Sequence, residues 1–591
     1  TAKERKFNNA TSRLLGDIYA QWEIIPDLRL KVSLGTDIMY HKTNRYTPST
    51  IYQANGTATA QIGINKSINW LNENTLTWNK TFAEDHDLNL LGGFTMQKNN
   101  TEYVMASSSN FVNDVMEYNN LGAGSVYNKP ESNAMQWSLM SYLARVNYTL
   151  KHKYLFSVNA RVDGSSRFGA NNKYGFFPSA SAGWRISEEA FMEPVKETIS
   201  NLKLRASYGF TGNTEIGVYE SLATLGTSNW ILGNQLVSGF FPNKIPNPDL
   251  KWERTGQFDI GLDLGLFNNR VRITTDYYKK KTTDLLYSVA VPATSGYQTM
   301  LKNIGSIENQ GYELSIESDN LTGAFSWTTA FNIAFNRNKV LELGGEEYKE
   351  MAEGDGHLKT GSVRRLIVGE PIGVFYGYRF DGIFQNEEEC KQQTSSASPI
   401  GVGLRRYKDL NGDGKVDAAN DREILGDANP KFFGGLTNTF AYKGFELNVF
   451  LQYSYGNKIL NYNAMELENP TGGQNAYADM VNRWTPENPS NIYPKATTNR
   501  AILASDRFIE DGSYLKLKTL SLSYSFPKIN MKHIQGLRLY VTGQNLLTWT
   551  KYRGYDPEVS YRGASTLEAG EDFGGYPQSR TFMFGVKLDI K

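Results

Sequence analysis

The sequence predicts an all-β fold, a transmembrane antiparallel up-and-down β-barrel of which about 17 strands are present. Two observations lead to this prediction. Apolar and polar residues alternate with a period of two over segments of nine residues or more, and the connections between these segments alternate between short and long. Soluble strands average about 5–6 residues, whereas a tilted strand that crosses a bilayer needs about 9–11.

The alternation gives each predicted strand one apolar face and one polar face. Charged residues occupy the polar face, which suits the wet interior of a membrane barrel better than the packed interface of a soluble sandwich. We therefore predict that one set of side chains faces lipid while the neighbouring set faces the lumen. The first set is Leu204, Leu262, Val449 and Phe584, and the second is Arg205, Asp263, Asn448 and Lys587.

Strand positions and loop lengths follow from the same pattern. In order, the predicted strands are 12–24, 28–40, 64–80, 86–97, 136–149, 153–163, 174–186, 202–211, 252–266, 270–281, 303–318, 323–337, 432–442, 445–456, 513–526, 537–549 and 580–590. The long connections are 41–63, 98–135, 212–251, 282–302, 338–431, 457–512 and 550–579. Outer-membrane barrels have short periplasmic turns and long extracellular loops, so the long connections are predicted outside the cell. A helix-like break at 188–199 and a bulge between Leu517 and Leu520 are also predicted.

Composition and charge exclude several other classes of protein. The 62 Lys and Arg residues balance 61 Asp and Glu to a net charge of +1, which provides no positive field for a nucleic-acid partner. The single cysteine, Cys390, excludes an internal disulfide and a cysteine-based zinc site. No apolar run is long enough for a membrane helix. An odd strand count that begins outside the cell predicts that residues 1–591 are the C-terminal part of a barrel.

Eight phrases between residues 163 and 580 carry a family resemblance. They are Asp163-Gly-Ser-Ser-Arg-Phe-Gly169, Phe176-Phe-Pro-Ser-Ala-Ser-Ala-Gly-Trp-Arg185, Leu202-Lys-Leu-Arg-Ala-Ser-Tyr-Gly-Phe-Thr-Gly-Asn213, Asn247-Pro-Asp-Leu-Lys-Trp-Glu253, Asn303-Ile-Gly-Ser-Ile-Glu-Asn-Gln-Gly-Tyr-Glu-Leu314, Asp511-Gly-Ser-Tyr-Leu-Lys-Leu-Lys518, Gly543-Gln-Asn-Leu-Leu547 and Tyr576-Pro-Gln-Ser-Arg580. No single phrase is diagnostic, but in this order they resemble the SusC/RagA-type TonB-dependent transporters of Bacteroidota outer membranes.

The resemblance implies a barrel of about 22 strands in the cell outer membrane, closed by an N-terminal plug domain. It also implies import energised by TonB, a SusD-like surface lipoprotein as partner, and an oligosaccharide or a peptide as substrate. The plug, the TonB box and the first strands are expected to be missing from this sequence, so TonB would act through the missing N-terminal region. The last residues, 588–591, also lack the terminal aromatic residue common in outer-membrane barrels.

The long extracellular excursion 338–431 contains a segment, 409–421, with the spacing of a calcium loop. Oxygen-bearing residues occupy loop positions 1, 3, 5 and 9, and a glycine occupies position 6, as in an EF-hand. Position 12 is Asn420, with an acid one place later. The spacing predicts a Ca²⁺ ion in a stabilising role; an Asx-rich turn without an ion is the alternative. The predicted ligands are Asp409, Asn411, Asp413, the Lys415 carbonyl, Asp417 and Asp421.

The sequence contains no comparable catalytic pattern. The histidines at 41, 86, 152, 357 and 533 have no metal-binding spacing, and no G-x-S-x-G elbow occurs in a supporting context. We therefore predict that the protein is not an enzyme. Two alternatives to nutrient import stay open, which are a surface binding or adhesion barrel without transport and a secreted β-rich carbohydrate-active enzyme.

Aromatic residues in or beside the predicted outer loops are candidate substrate contacts. As a group, their rings could stack on sugars or on peptide side chains; for any single ring, packing within its own loop is the favoured alternative. The candidates are Trp230, Phe240, Phe241, Tyr462, Tyr477, Trp484, Tyr493, Tyr552 and Tyr555.

Overall fold

The computed structural model describes the chain except for a few short segments. These segments are 1–2, 52–53, 352–353, 355–356, 359, 470–474, 498–501, 527–533, 560, 564 and 591. The chain divides into two compact units. The first unit comprises Thr1–Trp184, Ser207–Gly256 and Thr282–Ile304, and the second comprises Arg185–Ala206, Gln257–Lys281 and Gly305–Lys591.

The described residues form 33 strands and two short α-helices. Strands β1 to β11 are Lys6–Ile25, Leu28–Thr47, Thr59–Phe82, His86–Phe111, Gly124–Tyr127, Glu131–Leu150, Tyr154–Ser165, Tyr174–Arg185, Ile199–Asn213, Thr224–Leu232 and Gln235–Lys244. Strands β12 to β22 are Glu253–Leu266, Val271–Thr283, Leu286–Ala290, Thr299–Asn303, Ser306–Thr322, Phe325–Glu342, Tyr348–Glu350, Arg365–Ile367, Val374–Tyr378, Phe380–Ile383 and Thr394–Ser395. Strands β23 to β33 are Arg405–Tyr407, Lys415–Val416, Arg422–Asp427, Phe432–Tyr442, Phe445–Tyr455, Lys458–Asn461, Ile509–Asp511, Tyr514–Ser525, Ile534–Thr550, Glu571–Asp572 and Thr581–Ile590. Helix α1 is Glu387–Gln392 and helix α2 is Tyr462–Leu467.

The main sheet confirms the predicted fold class. It contains 18 strands, of which 17 have ten residues or more and one, β5, has four. Strand lengths of ten residues and above are those of membrane-crossing strands. Among the described residues, no helix is long and apolar enough to cross a membrane.

In the first unit, β1, β2, β3, β4, β6, β7 and β8 form an antiparallel meander. Several of these strands continue past their predicted ends. The alternation predicts β2 over 28–40, but the ladder of this strand with β3 reaches the pair Thr47 and Thr59. The prediction was too short because apolar alternation stops near the edge of the apolar band, whereas backbone hydrogen bonds need no apolar side chain.

Two predicted plain loops of the first unit contain hairpins instead. Within 212–251, β10 pairs with β11, and within 282–302, β14 pairs with β15. A small aromatic core lies beneath these segments, in which the rings of Phe168 and Phe177 pack against Trp252. The loop side of this unit is therefore an ordered structure with its own core.

In the second unit, β16, β17, β26, β27, β30, β31 and β33 form the corresponding antiparallel meander. The predicted bulge is confirmed, since the register of β30 against β31 shifts between Leu517 and Thr519. The predicted break at 188–199 is also confirmed, because 3-10 turns occupy Ile186–Glu188 and Ala190–Val195.

Contacts in the second unit support the predicted polarity of the wall. The Arg205 guanidinium binds Asp263 at 2.9 Å and Asp276 at 2.9 Å, so these three charged side chains share one face. On β27, the Asn448 side chain donates a hydrogen bond to Thr439 at 2.9 Å. Because successive side chains of a strand point to opposite faces, Leu204, Leu262 and Val449 lie on the other face.

This polarity predicts different effects for two neighbouring substitutions on β27. Val449→Arg, near the middle of the strand on the apolar face, should destabilise the barrel by about 2–4 kcal/mol because a cation would face the hydrocarbon layer. Asn448→Arg, on the polar face, should have little effect. Reversible unfolding of the intact protein in lipid vesicles measures both values. Equal destabilisation by the two variants would show that the assigned faces are wrong.

Candidate functional site

The long loops of the second unit are held together by a hydrophobic core of their own. Helix α2 contributes Tyr462, Ala464 and Met465, which are fully buried. Their partners come from distant parts of the chain and are Leu358, Val363, Phe375, Leu460, Ile502, Ala504 and Phe508. We call these ten residues the loop core. The loops around it are therefore a fixed platform above the wall strands of this unit.

A buried ion pair joins two loops of this platform that are far apart in sequence. The Arg364 guanidinium donates to Glu571 at 2.8 Å and to the Gly373 carbonyl at 2.8 Å, and it lies 4.2 Å above the ring of Phe375. Both charged side chains are 2% exposed. A buried pair that lost one member would leave an uncompensated charge, so this contact fixes the relative position of the two loops.

A second buried carboxylate, Glu468, is held by two arginines. Arg507 contacts it at 3.0 Å and Arg553 at 3.1 Å, and Arg553 also contacts Glu510 at 2.8 Å. Because hydrogen bonds from a guanidinium to a carboxylate are strong and directional, this network orders the segments that carry all four residues. The pKa of Arg553 is raised because its bonds to Glu510 and Glu468 outweigh the burial that opposes its charge.

The loop after β31 is tied to β30 by a buried lysine. The Lys516 side chain, 1% exposed, donates to Asp556 and to Glu558, each at 2.6 Å. Lys518 donates to Glu558 at 3.1 Å. Burial opposes the charge on Glu558, but the hydrogen bonds from the two lysines outweigh it and lower the pKa of this carboxyl below its usual 4.5.

Two of the predicted substrate contacts are interior residues of the platform. Tyr462 belongs to the loop core, and Tyr552 is 5% exposed with its hydroxyl donating to Asp572. Burial and this hydrogen bond raise the pKa of Tyr552. Neither ring is exposed to solvent, because each packs inside the loops of the second unit. The sequence pattern alone does not show whether such a ring is buried or exposed.

Three further candidates are half-buried, and each is held by a contact within the loops of the second unit. The Trp484 indole donates to the Gln385 side chain at 3.0 Å, and the Tyr493 hydroxyl donates to Asp479 at 3.3 Å. Tyr477 packs against the loop core. Tyr555 differs from these residues, because its ring is 82% exposed.

The remaining three candidates, Trp230, Phe240 and Phe241, lie on the β10–β11 hairpin of the first unit, and all three rings are exposed. The hairpin turns at Gly233-Asn234, where both residues have positive φ, as a type I′ turn requires. The indole of Trp230 lies over Gly239, where an added Cβ would be 2.7 Å from the ring. The ring therefore lies flat against the strand and presents its other face to solvent.

The sequence contains a pattern that indicates this hairpin, although the prediction treats 212–251 as a loop without strands. A Gly-Asn pair between two short runs of apolar residues is a hairpin pattern. Four aliphatic residues of the hairpin are also largely exposed and are not among the predicted candidates; they are Leu225, Ile231, Leu232 and Leu236. The exposed surface is therefore wider than the aromatic residues alone suggested.

The acidic segment 409–421 forms a compact turn in which carboxylates accept backbone amides. Asp409 accepts from Gly412 and Gly414, each at 2.7 Å, and Asp417 accepts from Ala419 and Asn420. The other predicted ligands are similarly placed. Asn411 and Asp413 contact each other at 3.0 Å, the Lys415 amide donates to Asp413, and Asp421 accepts from Leu410 and Asp417.

The described residues contain no preformed metal centre. No group of three or more His, Cys, Asp or Glu side chains in this part of the chain is arranged to hold an ion. Cys390 is a free thiol on α1, and burial and the charges of Glu387 and Glu389 raise its pKa, which disfavours a nucleophilic thiolate. His533 lies outside the described residues.

Comparison with known proteins assigns the family. The profile described as TonB dependent receptor-like, beta-barrel, matches residues 3–546. The chain belongs to this family. Its barrel wall is therefore a wall in the cell outer membrane, and the expected resemblance to SusC and RagA is confirmed.

Similar proteins come from Bacteroidota. TonB-dependent receptor P3 of Formosa agariphila is 40% identical over 580 residues, covering 97% of this chain and 57% of the relative. TonB-dependent receptor SusC of Bacteroides thetaiotaomicron is 32% identical over 472 residues, covering 77% of this chain and 44% of the relative. The solved structure of the RagAB peptide transporter matches with a TM-score of 0.85 and 27% identity, covering 99% of this chain and 63% of that one. The chain thus spans about 57% of the first of these curated relatives.

The Glu558 contacts predict an acid-sensitive loop. Since the pKa of Glu558 is lowered by folding, its ionisation stabilises the loop above pH 4.5, and that stabilisation is lost as the pH falls through the lowered value. We expect amide protection in residues 551–559, corrected for intrinsic exchange, to fall on acidification below this pH. Glu558→Gln should lower protection at neutral pH and flatten the pH dependence. An unchanged pH profile in this variant would contradict the assignment.

Proposed function

We propose that the chain is the barrel part of a nutrient importer that takes up oligosaccharides or peptides across the outer membrane with energy supplied through TonB. The observation that carries this proposal is the match over nearly the whole chain to RagAB, a peptide transporter, together with the relationship to SusC. The polar face of the wall, with Arg205, Asp263 and Asp276, suits a water-filled passage for polar substrates.

We further propose a SusD-like surface lipoprotein as partner and no chemical conversion of the substrate. The β10–β11 hairpin supports the first point, because exposed apolar residues such as Ile231 and Leu236 form a surface suited to a protein or ligand contact. The proposal that the substrate is not chemically converted is supported by the platform, in which buried charged side chains are paired with one another and hold the loops together. A surface adhesion barrel without transport is the alternative that the experiment below separates.

Growth of a host that lacks the transporter tests the proposal. The host is complemented with the complete gene and grown on its cognate glycan or peptide, with and without TonB. Growth that requires both the gene and TonB supports import. Surface binding of the substrate without TonB-dependent growth would support the adhesion alternative, and release of cleaved substrate by the purified protein would support the enzyme alternative.

The exposed rings predict which side chains contribute to capture. In the complete protein, Trp230→Ala and Tyr555→Ala should each weaken substrate binding about threefold to tenfold, since each removes an exposed stacking surface. Phe82→Ala is the matched control, because this ring is also exposed but lies beside the short turn at the other end of the first unit's wall. An equal loss of binding in the control would contradict a role for the outer loops.

We also propose that segment 409–421 binds one Ca²⁺ ion that stabilises the excursion. The supporting observation is Asp421, which is fully buried and accepts amides from Leu410 and Asp417 without a basic side chain within ion-pair distance among the described residues. A buried carboxylate without a counter-charge is costly, and a bound cation would provide one. Binding requires Asp409 and Asp413 to turn their free lone pairs towards the ion.

Calorimetry of the intact protein measures calcium binding directly. We expect heat from one bound ion per chain and a higher unfolding temperature with calcium than with a chelator. Asp413→Asn should weaken binding, while Asp381→Asn, an exposed acid elsewhere in the excursion, should leave it unchanged. Identical titrations with and without chelator would show that the segment is an Asx-rich turn only.

A further inference from the structure

An outward-facing groove of about 320 Å³ lies on the wall of the first unit. Its lining includes Trp70 on β3, Met96 and Lys98 on β4, Met140 on β6, Tyr174 at the start of β8, and Lys173 in the connection just before that strand. Strand register places these side chains in two rows. Met96 is opposite Met140, and in the next row Lys98 is opposite both Trp70 and Ser138.

The face that carries the groove is the apolar face of the wall. On β4, Leu88, Leu90, Phe94, Met96 and Lys98 are separated by even numbers of residues and so point to the same side. The face changes from apolar to charged at Lys98. This change occurs on the side of the longer connection between β7 and β8, which is the extracellular side by loop length. The groove therefore lies where the outer lipid leaflet meets its headgroups.

A glycine leaves room for the groove in the wall. The ring of Tyr174 lies against Gly164, where any side-chain carbon would overlap the ring. The ring itself is 56% exposed and forms part of the groove lining with Trp70. Aromatic residues at this depth are typical of the interfacial girdle of outer-membrane barrels. Together with the two methionines they give the groove an apolar base suited to acyl carbons.

The two lysines of the groove have no acidic partner in the part of the chain that the structure describes. Among the described residues, no carboxylate lies within ion-pair distance of Lys98 or Lys173. Other lysines of the same wall are paired, such as Lys66 with Glu102 at 3.8 Å and Lys80 with Asp27 at 3.0 Å. The nearby hydroxyl-bearing residues are Ser138 and Ser166, of which Ser166 accepts the Ser138 amide at 2.9 Å. Two unpaired cations beside hydroxyl groups suit a phosphate.

We propose that this groove binds a phosphorylated lipid of the outer leaflet, with its phosphate at Lys98 and Lys173 and its first acyl carbons over Met96, Met140 and Trp70. Charge complementarity and the position of the groove on the lipid-facing side select this occupant over a protein partner, which would need a surface above the membrane. A free phosphate ion would leave the apolar base without a function. The inference depends on the barrel lying in the outer membrane and is independent of which nutrient is imported.

Lipid retention by the complete protein tests this inference. The protein is purified in detergent, incubated with lipid A that carries both phosphates or with dephosphorylated lipid A, and examined by native mass spectrometry. We expect the phosphorylated lipid to bind more tightly. Each of Lys98→Gln and Lys173→Gln should weaken its binding about fivefold, since a lysine near a charged membrane surface contributes on that order.

Lys66→Gln is the matched control, because Lys66 lies on the same face of β3 but is paired with Glu102. Its lipid binding should equal that of the unmodified protein, and heat-dependent gel mobility should show that all variants are folded barrels. Three results would overturn the proposal: equal binding of the two lipids, an equal loss in the Lys66→Gln control, or displacement of the lipid by excess inorganic phosphate.

Discussion

The structure depends on one constraint, which is that every backbone amide facing the bilayer must find its partner within the sheet. Water is absent from the hydrocarbon layer, so an unpaired amide there costs several kcal/mol. Continuous antiparallel ladders such as β3 with β4, which pair without interruption from Thr59 and Ser109 to Phe82 and His86, satisfy this constraint. The alternation of side chains then follows from the pleat, which sends apolar groups to lipid and polar groups to the lumen.

The loops obey a different rule because they are surrounded by water. Their order comes from side chains, through the loop core and through buried charges such as Arg364 with Glu571 and Lys516 with Asp556. These charges are expensive to bury singly and are therefore retained in pairs. A loop tied in this way is ordered without being part of the wall, so the long loops hold a defined shape above the strands that carry them.

The sequence alone predicted the wall well and the platform poorly. The alternation predicts β27 at 445–456, and the strand is observed at Phe445–Tyr455, because this alternation is set by the membrane and is visible in the local sequence. Arg364 and Glu571 are 207 positions apart, and no local periodicity of the sequence indicates that two such residues are in contact. The same limit explains the aromatic residues. A tyrosine at 462 and one at 555 look alike in sequence, yet tertiary packing buries the first and leaves the second exposed.

The difference between buried and exposed aromatic residues separates positions at which the residue type can change from positions at which it cannot. Replacing Tyr462 would leave a cavity in the loop core, so selection for folding acts on it whatever the substrate. Trp230 lies against Gly239 on its own hairpin and belongs to no hydrophobic cluster of the described residues, so its ring can be exchanged for another without leaving a cavity in these clusters. A barrel of this kind can therefore acquire a new ligand by changing a few exposed loop residues, while the ladder and the buried charges beneath them stay as they are.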